Sequence, residues 1–203
     1  MGRGVLYLCV ESTMRNLALA VYRNEGGAME EMVRAHQDEI YTYAVRLLGD
    51  HWDAQEVTQD TFVKAHGALS EKYSEDRCRS LALRPWLFRI AHHVASNRRR
   101  AGRASLRRSR AASGLIDVVL AGPSPGPEDA LVAREKHGRL AGAVLRLSRS
   151  DQELVVLRFV EEMTYADIAA VTGGTEACAR AKVFRALRKL RELIKKNEES
   201  HAM

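Results

Sequence analysis

Little in this sequence suits a β-rich, membrane-spanning or disulfide-stapled protein. Aromatic residues make up 6% of its 203 positions and prolines number 4, whereas Ala, Leu and Arg are abundant. That balance favours helices over a sandwich or barrel. Apolar runs are short: Val5–Val10 spans six residues, against the roughly 20 of a bilayer-crossing helix. The start lacks the long apolar stretch and small-residue cleavage site of a secretory signal, so a cytoplasmic location is expected. The three cysteines, Cys9, Cys78 and Cys178, lie far apart with no C-x-x-C pair, which implies free thiols. The seven histidines form neither H-x-x-x-H nor H-E-x-x-H. His92 and His93 are adjacent and point about 100° apart on a helix, a poor metal clamp. No metal and no cofactor are expected. With no phosphate-cradling glycine loop and no nucleophile–base pair, neither is an enzyme.

What is present is ordinary globular composition, 46% hydrophobic and 29% charged, with a net charge of +6. The charge is unevenly placed. Thr175–Lys196 holds eight basic residues and two acidic ones. A basic stripe on one helix is the electrostatic footprint of nucleic-acid binding, although a solvated surface helix carries one too.

Punctuation divides the chain. Residues 1–28 are weakly patterned and end in Glu25-Gly26-Gly27 before Met29, so an untranslated or disordered extension is expected there. Helical spacing at Val33, Ile40, Ala44, Leu47 and Leu48 predicts a helix over 30–48, stopped by Gly49. A second is expected from Asp53 as N-cap, with Glu56 three residues on. Val57, Thr61, Lys64 and Ala68 form its inner side. Residues 70–80 read as a polar loop, and Pro85 suits the first turn of a third helix. Residues 105–128 are the linker: Ala-Gly-Pro-Ser-Pro-Gly-Pro at 121–127 holds three of the four prolines and has no apolar face to bury. Helices are then expected at 129–147, 151–160 and 165–171, with Ser148 and Thr164 as caps. Gly173-Gly174 makes a turn, and Thr175 caps a helix reaching about Lys196. The expected fold class is all-α: two small helical domains, 29–104 and 129–197, joined by a flexible linker, with a tail at 198–203.

Three blocks carry the functional signal. Thr164–Leu190 has the helix-turn-helix pattern. On its second helix Ala179, Val183, Ala186, Leu190 and Leu193 share one side. Ala177, Arg180, Ala181, Phe184, Arg185 and Arg188 share another, where small residues permit close approach and cations reach base edges or phosphates. In D-A-Q-E-V-T-Q-D-T-F (53–62), Glu56, Gln59 and Asp60 form an acidic and amide face that suits a protein partner better than phosphate. In R-P-W-L-F-R-I-A-H-H-V-A-S-N-R-R-R (84–100), aromatics interleave with cations, as single-stranded or melting DNA requires; Trp86 and Phe88 are equally good core residues.

Together, in this order, the three blocks over about residues 30–195 resemble the bacterial extracytoplasmic-function (ECF) sigma factors. The resemblance implies a sigma region 2 domain, a region 4 helix-turn-helix domain and a role in promoter recognition and melting. It places Asp53, Glu56, Gln59 and Asp60 on the β′ clamp helices of core RNA polymerase. Arg84, Trp86, Arg89, His92, Asn97 and Arg98 fall on the −10 element. Thr175, Arg180, Ala181, Phe184, Arg185 and Arg188 fall on the −35 element. A β-flap contact, promoter DNA and an anti-sigma factor complete the implied partners. The chain departs from the family at Ala177-Cys178-Ala179, where Gly-Thr-Val is usual, and at Gly174, where an aliphatic residue is usual. A stand-alone helix-turn-helix regulator, binding its operator tightly as a dimer, is the alternative reading.

Overall fold

Each helix begins and ends where its own residues supply the missing hydrogen bonds. The computed structural model describes residues 17–104, 140 and 142–201. α1 (Ala28–Leu48) ends at Gly49, whose φ of 70° is readily available to glycine and whose N–H bonds the Val45 carbonyl. α2 (His51–Glu71) is capped by Asp50, which accepts from the Asp53 N–H at 2.9 Å. The cap therefore lies three residues before the sequence-predicted Asp53, and Asp53 occupies the first turn. The expected loop 70–80 contains a short helix, α3 (Glu75–Arg79), capped by Ser74. α4 (Leu83–Ala104) follows.

The second unit opens with helical residues near 142–145, then Ser148 caps α5 (Arg149–Val155). A π-helical turn, Val156–Val160, continues it. α6 (Tyr165–Thr172) starts with a reciprocal capping box between Thr164 and Asp167. α7 (Glu176–His201) runs past the expected end near Lys196; no glycine or proline stands there to stop it. Among the described residues there is no strand. The expected linker at 105–128 and most of the expected helix at 129–147 lie outside the described residues.

The buried stripe of α2 is Ala54, Val57, Thr61, Phe62, Ala65 and Leu69, with Lys64 outside and Ala68 half-buried. Residues 17–22 belong to this core: they are helical, and Leu17, Ala18 and Val21 are buried. Arg23 pairs with Glu75 at 2.5 Å. Two turns of a small helix give too weak a pattern to separate from an arm by sequence.

The core does not stop at the domain boundary. Tyr43, Leu87 and Phe88 of the first unit belong to the same buried cluster as Leu157, Met163, Ile168 and Val171 of the second, with α6 packed on α4. A smaller cluster of Ala143, Val144, Leu147 and Leu190 ties α7 to the start of its own unit.

Candidate nucleic-acid interface

Burial of one stripe of α2 turns the opposite stripe to solvent. Gln59 and Asp60 are exposed there. Asp53 and Glu56 are not free: Arg98 of α4 donates from Nε to Asp53 at 2.9 Å and from its guanidinium to Glu56. Two large apolar side chains flank the acids, Trp52 at 78% and Val63 at 70% exposure. Sequence reasoning missed both, although positions 52, 56, 59 and 63 recur at helical spacing on one face.

α4 sorts the six sequence-predicted −10 residues onto three faces. Leu83, Leu87, Phe88, Ala91, Val94 and Ala95 are its buried members, so Phe88 is core. Arg84 and His92 point to the second unit: Arg84 lies 3.5 Å from Glu161, and His92 Nδ1 lies 2.5 Å from Glu153. Arg98 points to α2, as above. Trp86 is half-buried on Tyr73, donating from Nε1 to the Tyr73 hydroxyl at 2.9 Å. Arg89 and Asn97 are exposed, and two residues that sequence reasoning passed over, His93 and Arg100, share their face and their exposure. Burial, His92, Arg89 and Arg100 all push the His93 imidazole below its usual value. It is therefore neutral near pH 7 and offers one donor and one acceptor. The outer face of α4 thus carries Trp86, Arg89, His93, Asn97 and Arg100, an aromatic, two neutral polar side chains and two cations on one side of one helix.

The helix-turn-helix is built as its pattern predicts. Gly173 and Gly174 have φ of 77° and 127°, conformations that L side chains rarely adopt, which accounts for glycine at the usual aliphatic position. Thr175 Oγ accepts from the Cys178 N–H at 3.3 Å. Ala179, Val183, Ala186 and Leu190 are buried, while Ala177, Arg180, Ala181, Phe184, Arg185 and Arg188 are all exposed. Phe184 is 67% exposed, an apolar ring set among the cations of this face. Arg180 is held by Glu176 at 2.8 Å and lies over the Tyr165 ring at 5.2 Å. Lys189 pairs with Asp151 at 2.7 Å, leaving the face to arginines. Among the described residues, no group of three or more His, Cys, Asp or Glu is placed to hold a metal ion. Nor, among the described residues, is any helix long and apolar enough to cross a membrane.

Comparison with known proteins meets this geometry at both units. Residues 32–105 match sigma-70 region 2, and residues 137–190 match sigma-70 region 4. The RNA polymerase sigma factor CnrH of Cupriavidus metallidurans is 33% identical over 198 residues, covering 93% of this chain and 98% of the relative. The ECF RNA polymerase sigma factor SigC of Mycobacterium tuberculosis is 30% identical over 177 residues, covering 84% and 85%. The chain is an ECF sigma factor. Among solved structures, CnrH in complex with the cytosolic domain of CnrY superposes with a TM-score of 0.62 at 26% identity, covering 90% of this chain and 97% of that one. The sigma factor RpoE in complex with the anti-sigma factor NepR from Bartonella quintana shares the fold, with a TM-score of 0.57 at 22% identity over 83% and 98%. As a sigma factor the chain binds RNA polymerase and acts in promoter recognition and transcription initiation, and it is an initiation factor rather than a classical enzyme.

Proposed function

We propose that the sigma factor divides its work among three exposed surfaces. The α2 face of Gln59 and Asp60, bordered by Trp52 and Val63, docks on core RNA polymerase at its β′ clamp helices. The α4 face meets the −10 element: Arg89 and Arg100 neutralise phosphates, His93 and Asn97 face the bases, and Trp86 offers a stacking edge. The α7 face reads the −35 element, with Phe184 against a thymine methyl and Arg180, Arg185 and Arg188 on guanine edges or phosphates. Residues 29–104 and 129–197 form the two functional domains. The observation that carries this reading is the α7 face, where six exposed positions combine alanines, arginines and one exposed phenylalanine opposite a fully apolar side. An anti-sigma factor is the regulatory partner; the CnrH complex with CnrY supports that assignment.

Co-purification with core RNA polymerase tests the docking surface. Wild type is expected to co-elute stoichiometrically, and Gln59→Ala/Asp60→Ala to lose the complex while keeping its helix content. Retained binding by the double variant would remove that face from the account. Tight, polymerase-independent binding to a symmetric operator would favour the stand-alone regulator instead.

A further inference from the structure

Arg98 joins two surfaces that are otherwise separate. It stands one turn past Val94, where the buried stripe of α4 runs out, and its side chain reaches across to the outer stripe of α2. Nε donates to Asp53 at 2.9 Å, and the guanidinium also bonds Glu56. The side chains of Asp53, Glu56 and Arg98 are 46%, 59% and 32% exposed. Both carboxylates therefore lie open to a partner, on the face that carries Asp60, Trp52 and Val63. The neighbours of Arg98 are engaged elsewhere or face outward. Arg99 donates to Ser96 at 3.1 Å and lies 3.8 Å from Glu153, while Asn97 and Arg100 belong to the outer face of α4.

An ion pair this exposed adds little to stability, because water competes for both ends and ordering two long side chains costs entropy. The clasp is thus easily exchanged. A face of three carboxylates flanked by Trp52 and Val63 is complementary to an apolar surface bearing cations. When such a surface docks, it excludes water, and its cations compete with Arg98 for the same oxygens. The displaced guanidinium need not carry the helix with it. Rotation about its own side-chain bonds turns it from α2 toward Asn97, next to it in the chain, on the outer face with Arg89 and Arg100. Arginine keeps its charge throughout, so it arrives there as a cation in need of an anion.

We propose that Arg98 is an exchangeable cation shared by the two sites: the free chain keeps it on Asp53 and Glu56, and docking on polymerase displaces it to the outer face of α4, where it binds a phosphate of the −10 strand. A polymerase cation on the carboxylates releases Arg98, and a phosphate on Arg98 uncovers the carboxylates, so docking and DNA binding strengthen each other. The proposal rests on the assignment of the α2 face to core RNA polymerase and of the α4 face to the −10 element.

Two titrations of the full chain test it, with circular dichroism to follow helix content. The first measures affinity for core RNA polymerase. Arg98→Gln removes the competing cation and is expected to bind about threefold more tightly, the scale of two exposed ion pairs. Unchanged or weaker binding overturns the exchange and leaves Arg98 a structural tie between α2 and α4. Should Arg98→Gln lose helix, Arg98→Lys decides, since it keeps the charge but lacks the fork that spans both carboxylates. Tighter binding then supports the exchange, and binding equal to wild type or weaker overturns it. The second titration measures binding of the free chain to a single-stranded oligothymidylate over a range of salt. Asp53→Asn/Glu56→Gln releases Arg98 and is expected to steepen the slope of log K against log salt by about 0.7, one single-strand phosphate contact. Adding Arg98→Gln should abolish that gain. No gain, or a gain that survives without Arg98, overturns the transfer to DNA. Failure of the underlying assignment looks different: Gln59→Ala/Asp60→Ala then binds polymerase as wild type does, which removes the α2 face from the account and the exchange with it.

Discussion

Glu162 has a φ of 53°, a left-handed conformation that costs a residue with a Cβ roughly 1–2 kcal/mol. Glycine adopts it freely but loses more entropy on folding, so Glu162→Gly is expected to stabilise the chain by about 0.5–1 kcal/mol in urea unfolding. The two carboxylates buried between the units, Glu153 and Glu161, behave oppositely with pH. Burial pushes Glu153 up, but His92, Tyr43 and Arg99 outweigh it and hold the carboxyl below its ordinary 4.5. Its contribution is present above that value and lost as the pH falls through the lowered one. For Glu161 burial prevails over Arg46 and Arg84 and the carboxyl is raised above 4.5. Its contribution is full below 4.5 and declines as pH rises through the raised value. At pH 7, Glu153→Gln should therefore destabilise more than Glu161→Gln, and it should flatten the loss of stability below pH 4.5; equal effects in thermal unfolding would contradict these assignments. Neither carboxylate was legible in the sequence, where each is one charge in an ordinary helical stretch. The aromatic and basic block favours the core for Phe88 and leaves Trp86 evenly placed between core and DNA; packing buries Phe88 fully and Trp86 in part.

Elements were legible wherever a local signal fixed them. The Thr164 cap, the two glycines and the apolar side of α7 specify the helix-turn-helix without reference to the rest of the chain, because caps, turns and 3.6-residue spacing are local physics. α2 was found with its start misplaced, since Asp50 and Asp53 are both good caps and the choice depends on where α1 ends. Asp50→Ala should cost about 1 kcal/mol, as loss of an N-cap does, whereas Asp53→Ala should act mainly by leaving Arg98 to Glu56 alone. α4 was read as one DNA-facing helix. Its periodicity gives the buried stripe, but nothing local says that a second surface will be covered by another unit, so Arg84 and His92 were grouped with Arg89 and Asn97. On α7, Arg185→Ala/Arg188→Ala should weaken −35 duplex binding by the holoenzyme and reduce its salt dependence by about two phosphate contacts. An unchanged salt slope would place those arginines off the DNA.

At the scale of the whole molecule, class and order of parts followed from composition and three motifs, whereas the continuous core across the two units did not. Long-range burial depends on which faces meet, and a proline-rich stretch between two patterned segments reads as a boundary however the segments later pack. The most direct test of the account is run-off transcription by core RNA polymerase on a pool of genomic fragments, with wild type against Phe184→Ala/Arg185→Ala. Wild type is expected to produce discrete new start sites, and the double variant to lose them while still co-purifying with polymerase. Start sites that persist unchanged in the variant would contradict the assignment of α7 as the promoter-reading helix.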